Sequence, residues 1–330
     1  MMFKFRFQYL AFLPIFFFLN PLIAADSFPS KPIRILIGFA AGGPTDLIGR
    51  IVAKEISINL GQPVLVENKT GASSMISIRE VKNSAPDGYN LLFSSIAFNV
   101  NPILIGDQAG YNPRNDFSPV SYVAKLPLVA VTAFNTSIKN IDDLIAKAKV
   151  SKGNVSFGSP GNGGSAHLTG ELFASLAKVS LLHVPYKGNG PALMDVIAGR
   201  VDFMFYPVFG LNEYVLGKKI QVLGVGTSKR INPFEAYPTM TELGFPGFED
   251  TATWVGMLAP SKTPLDVIAR LNSEITNGLK KPEVKAQLEK LGAIIVADTP
   301  SEFDFFLQKD YERWNKVIKD AGIKVDLNGL

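Results

Sequence analysis

Residues 32–61 read PIRILIGFAAGGPTDLIGRIVAKEISINLG, and the fold class turns on them. The opening PIRILIG is apolar and β-branched around one arginine, the composition of a strand. From Leu47 onward apolar residues recur at helical spacing, and the run stops at Gly61. Between the two, FAAGGPTD (39–46) turns strand into helix through a Gly-Gly-Pro bend. Such a bend can be a tight turn and nothing more. It can equally bring bare backbone N–H groups at a helix start towards a ligand. Thr45 or Asp46 is expected to cap the helix, worth about 1 kcal/mol. For Asp46, capping is favoured over ligand contact, because a carboxylate would repel an anion.

The same alternation continues along the chain. VLVEN (64–68) leads into the helical SMISIREVKNSA (74–85), and NVSFGSP (154–160) into a helix beginning near His167. LLHVPY (181–186), PALMDVIAG (191–199), VDFMFYP (201–207) and IQVLGVGTS (220–228) read strand, helix, strand, strand. Gly or Pro marks the switch points, so an α/β fold with largely parallel sheets is expected. The last third is helix-rich, from PLDVIARLNSEITNGLKK (264–281) to PSEFDFFLQKDYERWNKVIKDAG (300–322). Two apolar extended stretches, 118–134 and 251–260, exceed the usual strand length and are the best joints between two domains. They divide the chain into a discontinuous first lobe, 26–128 plus 253–330, and an inserted second lobe, 129–252.

Composition narrows the function. The chain has 330 residues, 47% hydrophobic and 19% charged, enough for a large core split into two domains. Residues 1–25 have the layout of a secretory signal peptide: two cations (Lys4, Arg6), a short apolar run broken by Pro14, then small residues up to Ala25. Cleavage after Ala25 would lower the net charge from +4 to +2, with 31 basic and 29 acidic side chains left. That balance, without basic clusters among aromatics, argues against nucleic acid as partner. There is no cysteine, which suits a large periplasmic protein better than a small disulfide-built module. Two histidines, His167 and His183, give little material for a zinc or haem site, so no metal and no cofactor are expected.

Four loops follow strands and precede helices: FAAGGPTD, GSPGNGGSAHL (158–168), YKGNGPAL (186–193) and FYPVFG (205–210). In open α/β sheets ligands bind beyond the carboxyl ends of strands. The second loop is richest in donors, yet it lacks the Lys-Ser/Thr of a phosphate loop and is no dinucleotide fingerprint. Ser165 and His167 are too close in sequence for a hydrolase triad, and no Gly-x-Ser-x-Gly elbow precedes a base. No catalytic residue is assigned. His183 alternates with apolar residues and reads as a hydrogen-bonded, partly buried histidine, and Lys187 as a solvated loop lysine. Donor-rich loops without a catalytic set point to binding.

The mature chain resembles, over nearly its whole length, the solute-binding receptors of tripartite tricarboxylate transporters, also called the Bug family. The stretches that carry the resemblance include KPIRILIGFAAGGPTDLIGRIVA, LGQPVLVENKTGA, APDGYNLLFSS, GSPGNGGSAHLTGELF, HVPYKGNGPALMDVIAGRVDFMF, YPTMTELGFPGFE and ERWNKVIKDAGIK. The resemblance implies a type II periplasmic-binding-protein fold, two α/β lobes joined by two crossing strands and closing on a ligand. It implies capture of a small organic carboxylate in the periplasm and delivery to a permease of one large and one small membrane subunit. The implied ligand contacts are Phe39, Gly42, Gly43 and Thr45, with Asp46 and Ser95, from the first lobe. From the second they are Ser159, Gly161, Asn162, Gly163, Ser165 and His167, with Tyr206 and Pro207. A monomer is expected. Tyr206-Pro207, then Val208-Phe209, stand where the family carries an acidic or amide residue among small polar ones, and Phe98 stands in a stretch that is polar in the family. If these face the cleft, an acid with an apolar or aromatic body is favoured over citrate-like polyacids; alternatively Phe98 and Phe209 point into their own lobes. A ligand sensor for a membrane kinase would use the same closure, and a periplasmic enzyme on a carboxylic acid would need an acid–base pair not evident here.

Overall fold

The computed structural model describes residues 1–2, 28–248, 251–320 and 322–323. Apart from Met1 and Met2 the expected leader lies outside the described residues. The chain opens β1 (Ile33–Ile37), α1 (Pro44–Leu60), β2 (Val64–Asn68), α2 (Met75–Lys82), β3 (Asn90–Ser95), α3 (Ala97–Ile105) and β4 (Phe117–Leu126). It continues through β5 (Leu128–Ala133), α4 (Ile141–Ser151), β6 (Ser156–Ser159), α5 (Ser165–Ala177), β7 (Leu182–Pro185) and α6 (Asn189–Ile197). Then come β8 (Phe203–Pro207), α7 (Asn212–Leu216) and β9 (Ile220–Val225). The last elements are β10 (Thr253–Pro260), α8 (Leu265–Lys280), α9 (Pro282–Lys290), β11 (Ile294–Ile295) and α10 (Pro300–Asp320).

The strands form two sheets, ordered β11-β4-β10-β3-β1-β2 and β7-β6-β8-β5-β9. Each is mixed, which corrects the expectation of largely parallel sheets. β1 runs parallel to β2 and β3, and β6 parallel to β7 and β8. β10 lies antiparallel between β3 and β4, and β5 antiparallel between β8 and β9. The reversed strands are the ones that enter a sheet from the other lobe, so they run against the strands laid down by βαβ crossovers. Helices cover both faces of each sheet, and strand alternation sorts the side chains. Ile33, Ile35 and Ile37 enter one core and Leu36 the other; Phe203 and Phe205 enter one and Met204 the other.

The stretch 118–134 does join the sheets, but as two strands. Pro127 has no N–H to give to either ladder, and the break falls on it. Its carbonyl accepts the Val208 N–H at 2.8 Å, holding the joint to the end of β8. The stretch 251–260, by contrast, supplies only β10, which belongs wholly to the six-stranded sheet. The return towards it begins at Gly226, whose N–H donates to the Leu128 carbonyl at 2.8 Å. Phe209 follows β8 of the second sheet yet packs, 1% exposed, among the core residues beside the first. The Gly210 N–H reaches the Leu291 carbonyl at 3.0 Å next to it. At the far side of the first sheet, buried Asp310 fixes α10 by accepting from Trp254 Nε1 and Asn99 Nδ2, each at 3.0 Å.

Candidate functional site

The two lobes touch through the loops at the strand ends. Ala40 in the loop after β1 donates its N–H to the Lys187 carbonyl in the loop after β7 at 2.8 Å. A Cβ added to Gly188 would lie 3.0 Å from the Ala40 nitrogen, and one on Gly161 would lie 3.1 Å from Ser73 Oγ. One on Gly43 would lie 3.8 Å from the Gly190 nitrogen. Between the loops is a cavity of about 210 Å³, walled by Gly38 and Gly71–Ser74 from one side and by Pro160–Asn162 and Pro185–Lys187 from the other. That is below the roughly 300–1,000 Å³ of drug-sized sites and suits a small molecule. The wall carries one cation, Lys187, and no carboxylate. Lys187 forms no ion pair with any described residue.

The electrostatics follow from the helices behind the loops. α1, α5 and α6 begin at Gly43, Gly164 and Gly188, and α2 at Ser74; none of the four has a side chain capping its first turn. Their unpaired first-turn N–H groups carry the positive dipole ends. Ser74 at the start of α2 lines the cavity, and the lining residues Asn162 and Lys187 closely precede the starts of α5 and α6. α2, α5 and α6 have no acidic residue in the first turn. α1 has one, Asp46, and its charge is already engaged. Asp46 accepts the Gly42 N–H at 2.9 Å, Asn68 Nδ2 at 2.9 Å and Arg50 Nε at 3.0 Å while only 2% exposed. Burial works against its ionised form, but the bonds from Arg50, Gly42 and Asn68 outweigh it and hold the carboxyl below the usual range. Asp46 is therefore a tether between α1, its preceding loop and β2, not the helix cap that the sequence suggested; Gly43 occupies the capping position.

Several donors expected to face a ligand are used within the protein. The Gly42 N–H goes to Asp46, the Gly161 N–H to Ser159 Oγ at 3.1 Å, and the Gly163 N–H to His167 Nδ1 at 3.1 Å. Ser159 Oγ also lies 2.6 Å from His183 Nε2. The side chains of Thr45, Asn162 and Ser165 have no hydrogen-bond partner among the described residues. Gly161 and Asn162 line the cavity; Phe39, Gly42, Gly43, Thr45, Asp46, Ser95, Gly163, Ser165 and His167 do not. Phe39 packs into the core beside α1, and Ser95 ends β3, 5% exposed. Tyr206 is buried against Val129, Val222 and Phe234, and Pro207 pairs with Leu128 in the sheet. Phe98 is fully buried, 5.1 Å from the Phe117 ring and 5.8 Å from Tyr111. With Phe98 in its own core and Phe209 in the other lobe's, the basis for an aromatic pocket is gone.

His167 and His183 stack at 4.0 Å directly behind the Ser159–Gly163 turn, with Phe157 against both. His167 accepts at Nδ1, so its proton is on Nε2, 3.9 Å from Glu171 Oε1. Burial lowers His167 to about 4; burial and the His167 charge lower His183 to about 3. Both rings fold neutral, so only the unfolded chain takes up protons as pH falls below about 6.5. The free energy of unfolding in urea should hold above that pH and decline from there to about pH 4, by up to about 1.4 kcal/mol per pH unit per histidine. A His167→Gln/His183→Gln protein should show a flatter slope over this window, whatever its absolute stability; an unchanged slope would exclude the pair as its source.

Sequence reasoning missed the Gly71–Ser74 turn, although it too joins a strand to a helix and is built of small polar residues. Among the described residues no group of three His, Cys, Asp or Glu is placed to hold a metal, and no helix is long and apolar enough to cross a membrane.

Residues 48–323 match the family model described as the tripartite tricarboxylate transporter family receptor. The sequence is 34% identical to protein BugT of Bordetella pertussis, covering 92% of this chain and 93% of that one. The fold is similar to that of Rpa4515 of R. palustris with adipate, at TM-score 0.86 and 30% identity over 90% of this chain and 99% of the other. It is also similar to MatC (Rpa3494) of Rhodopseudomonas palustris with bound malate, at TM-score 0.84 and 28% identity over 88% of this chain and all of the other.

Proposed function

The chain belongs to the tripartite tricarboxylate transporter receptor family and is a periplasmic solute-binding receptor of the type II fold; from that premise we propose that it captures a small aliphatic dicarboxylate between its lobes. The observation that carries this reading is a small cavity between the loops whose wall holds no carboxylate and includes Ser74 at the uncapped start of α2, with the uncapped starts of α5 and α6 at Gly164 and Gly188 following closely on the lining residues Asn162 and Lys187. Unpaired N–H groups and aligned dipoles favour an anion there without a buried fixed cation. Asn162, Gly161 and the Gly71–Ser74 turn would meet the ligand directly, and Thr45, Gly43 and Ser165 at the helix starts would act at short range or through water. The relatives with adipate and with malate bound are consistent with a ligand of that size and charge.

In this reading residues 26–128 with 253–330 form one jaw and 129–252 the other, and they swing about the Pro127 joint and the Phe209 wedge. The closed form is what a membrane permease of one large and one small subunit would recognise. Calorimetry on the chain from Asp26 should detect adipate or L-malate at micromolar Kd, roughly −8 kcal/mol. Adipamide, with the same carbon skeleton and no charge, should bind at least about a hundredfold more weakly. Equal affinity for adipate and adipamide would overturn the anion reading.

A further inference from the structure

The turn Gly71–Ser74 carries four successive positive φ angles, of which three belong to residues with a Cβ: Ala72 at 44°, Ser73 at 51° and Ser74 at 75°. Left-handed backbone is unfavourable for L-residues other than glycine, and a run of three is held only when its surroundings over-determine it. The restraints are visible. Asn101 Nδ2 donates to the Ser73 carbonyl at 2.9 Å, and Ser77 Oγ to the Ser74 carbonyl at 2.8 Å. Ser74 is 1% exposed, with its hydroxyl 3.3 Å from that of Ser77. Ser73 differs from its neighbour. It is half-buried, lines the cavity opposite Gly161 of the other lobe, and its hydroxyl has no hydrogen-bond partner among the described residues.

Glycine would satisfy this backbone better at position 73, so the serine side chain is present at a conformational cost. We infer that the Ser73 hydroxyl is a ligand-selecting group, donating to one carboxylate of the bound diacid from the lobe-1 wall while the turn's strain fixes its direction. The inference rests on the anion reading of the same cavity. A hydroxyl presented this way favours an acceptor on the ligand face that meets the first lobe, while Gly161 and Asn162 meet the opposite face. It selects by the placement of the second carboxylate, since a monoacid of the same length leaves the hydroxyl unmatched.

The test compares wild type with Ser73→Gly and Ser73→Ala, using adipate, L-malate and hexanoate in calorimetry and melting temperature without ligand. Ser73→Gly should raise the ligand-free melting temperature by about 2 °C, because the left-handed angle no longer meets a Cβ. Both variants should lose at least about tenfold in affinity for whichever diacid the wild type binds best. Neither should change its affinity for hexanoate more than twofold. Variants within twofold of wild type for the diacid overturn the inference, as does a loss in Ser73→Gly alone, which would assign the effect to backbone freedom. A wild type that binds neither diacid overturns the anion reading, and this inference with it.

Discussion

Gly188→Val is expected to weaken ligand capture strongly, raising Kd by about ten- to a hundredfold while the protein still folds. Gly188 has φ +148°, and a Cβ there would come within 3.0 Å of the Ala40 nitrogen and 3.3 Å of the Ala40 side chain across the cleft. The branched methyls of valine have no room, and the neighbouring bond from Ala40 N–H to the Lys187 carbonyl, 2.8 Å long, would be pushed apart. Overpacking of this kind costs about 1–3 kcal/mol, and the backbone angle adds a similar amount. The clash with Ala40 falls on the form in which the lobes touch, so apparent affinity drops with the fraction of molecules able to close, whereas the backbone term weighs on every conformation. Gly199→Ala is the control. Gly199 also has a left-handed φ, +70°, but a Cβ there meets nothing within 4 Å, so affinity should stay within twofold of wild type. Normal calorimetry of Gly188→Val would show that capture does not require this contact.

Asp46→Ala should destabilise the fold by about 3 kcal/mol and weaken binding as a consequence. Its carboxylate gathers the Gly42 N–H, Asn68 Nδ2 and Arg50 Nε into one buried point; alanine leaves the Gly42 N–H without an acceptor and Asn68 Nδ2 with only the Phe39 carbonyl, at 2.9 Å. Released from Asp46, Gly42 no longer fixes the loop that leads into α1. Since the folded carboxyl lies below its ordinary pKa of 3.8, the contribution is complete above that pH and vanishes as pH falls through the folded value. The variant should therefore differ from wild type at pH 7 and converge with it in strong acid. Asp46→Asn, which keeps the shape and one acceptor, should lose about half as much. Chemical denaturation measures both; an alanine variant as stable as wild type would mean that the tether is dispensable.

What was legible in the sequence was set by local rules. The PIRILIG strand, the glycine bend and the α1 helix could be read because strand alternation, Pro44 at the first helical position and Gly61 at the end are chain-local signals. The direction of β10 and β5 was not, because an antiparallel insertion depends on where the chain returns from, which no window of sequence records. Asp46 shows the same limit at the site. Its place in the first turn was evident, but Asn68, one of its partners, lies on β2, and only the fold brings the two to 2.9 Å. The glycine loops were identified as donors from composition, whereas His167 and Ser159 use up two of those donors internally. Phe98 could not be placed, since a phenylalanine beside a cleft and one in a core look alike in a string. The Ala72–Ser74 turn escaped notice because left-handed serines carry no sequence mark, unlike left-handed glycines.

In the six-stranded sheet β3 and β4 exchange no hydrogen bonds; β10 lies between them and pairs with both. During synthesis the five strands of the other sheet have all been made by Val225, whereas β10 is complete only at Pro260. The lobe that appears first in sequence is thus the last that can be finished. Until the chain has come back, its β1–β3 half and its β4 half have no ladder in common, and half of the ligand's enclosure waits on a strand made after the other half is already whole.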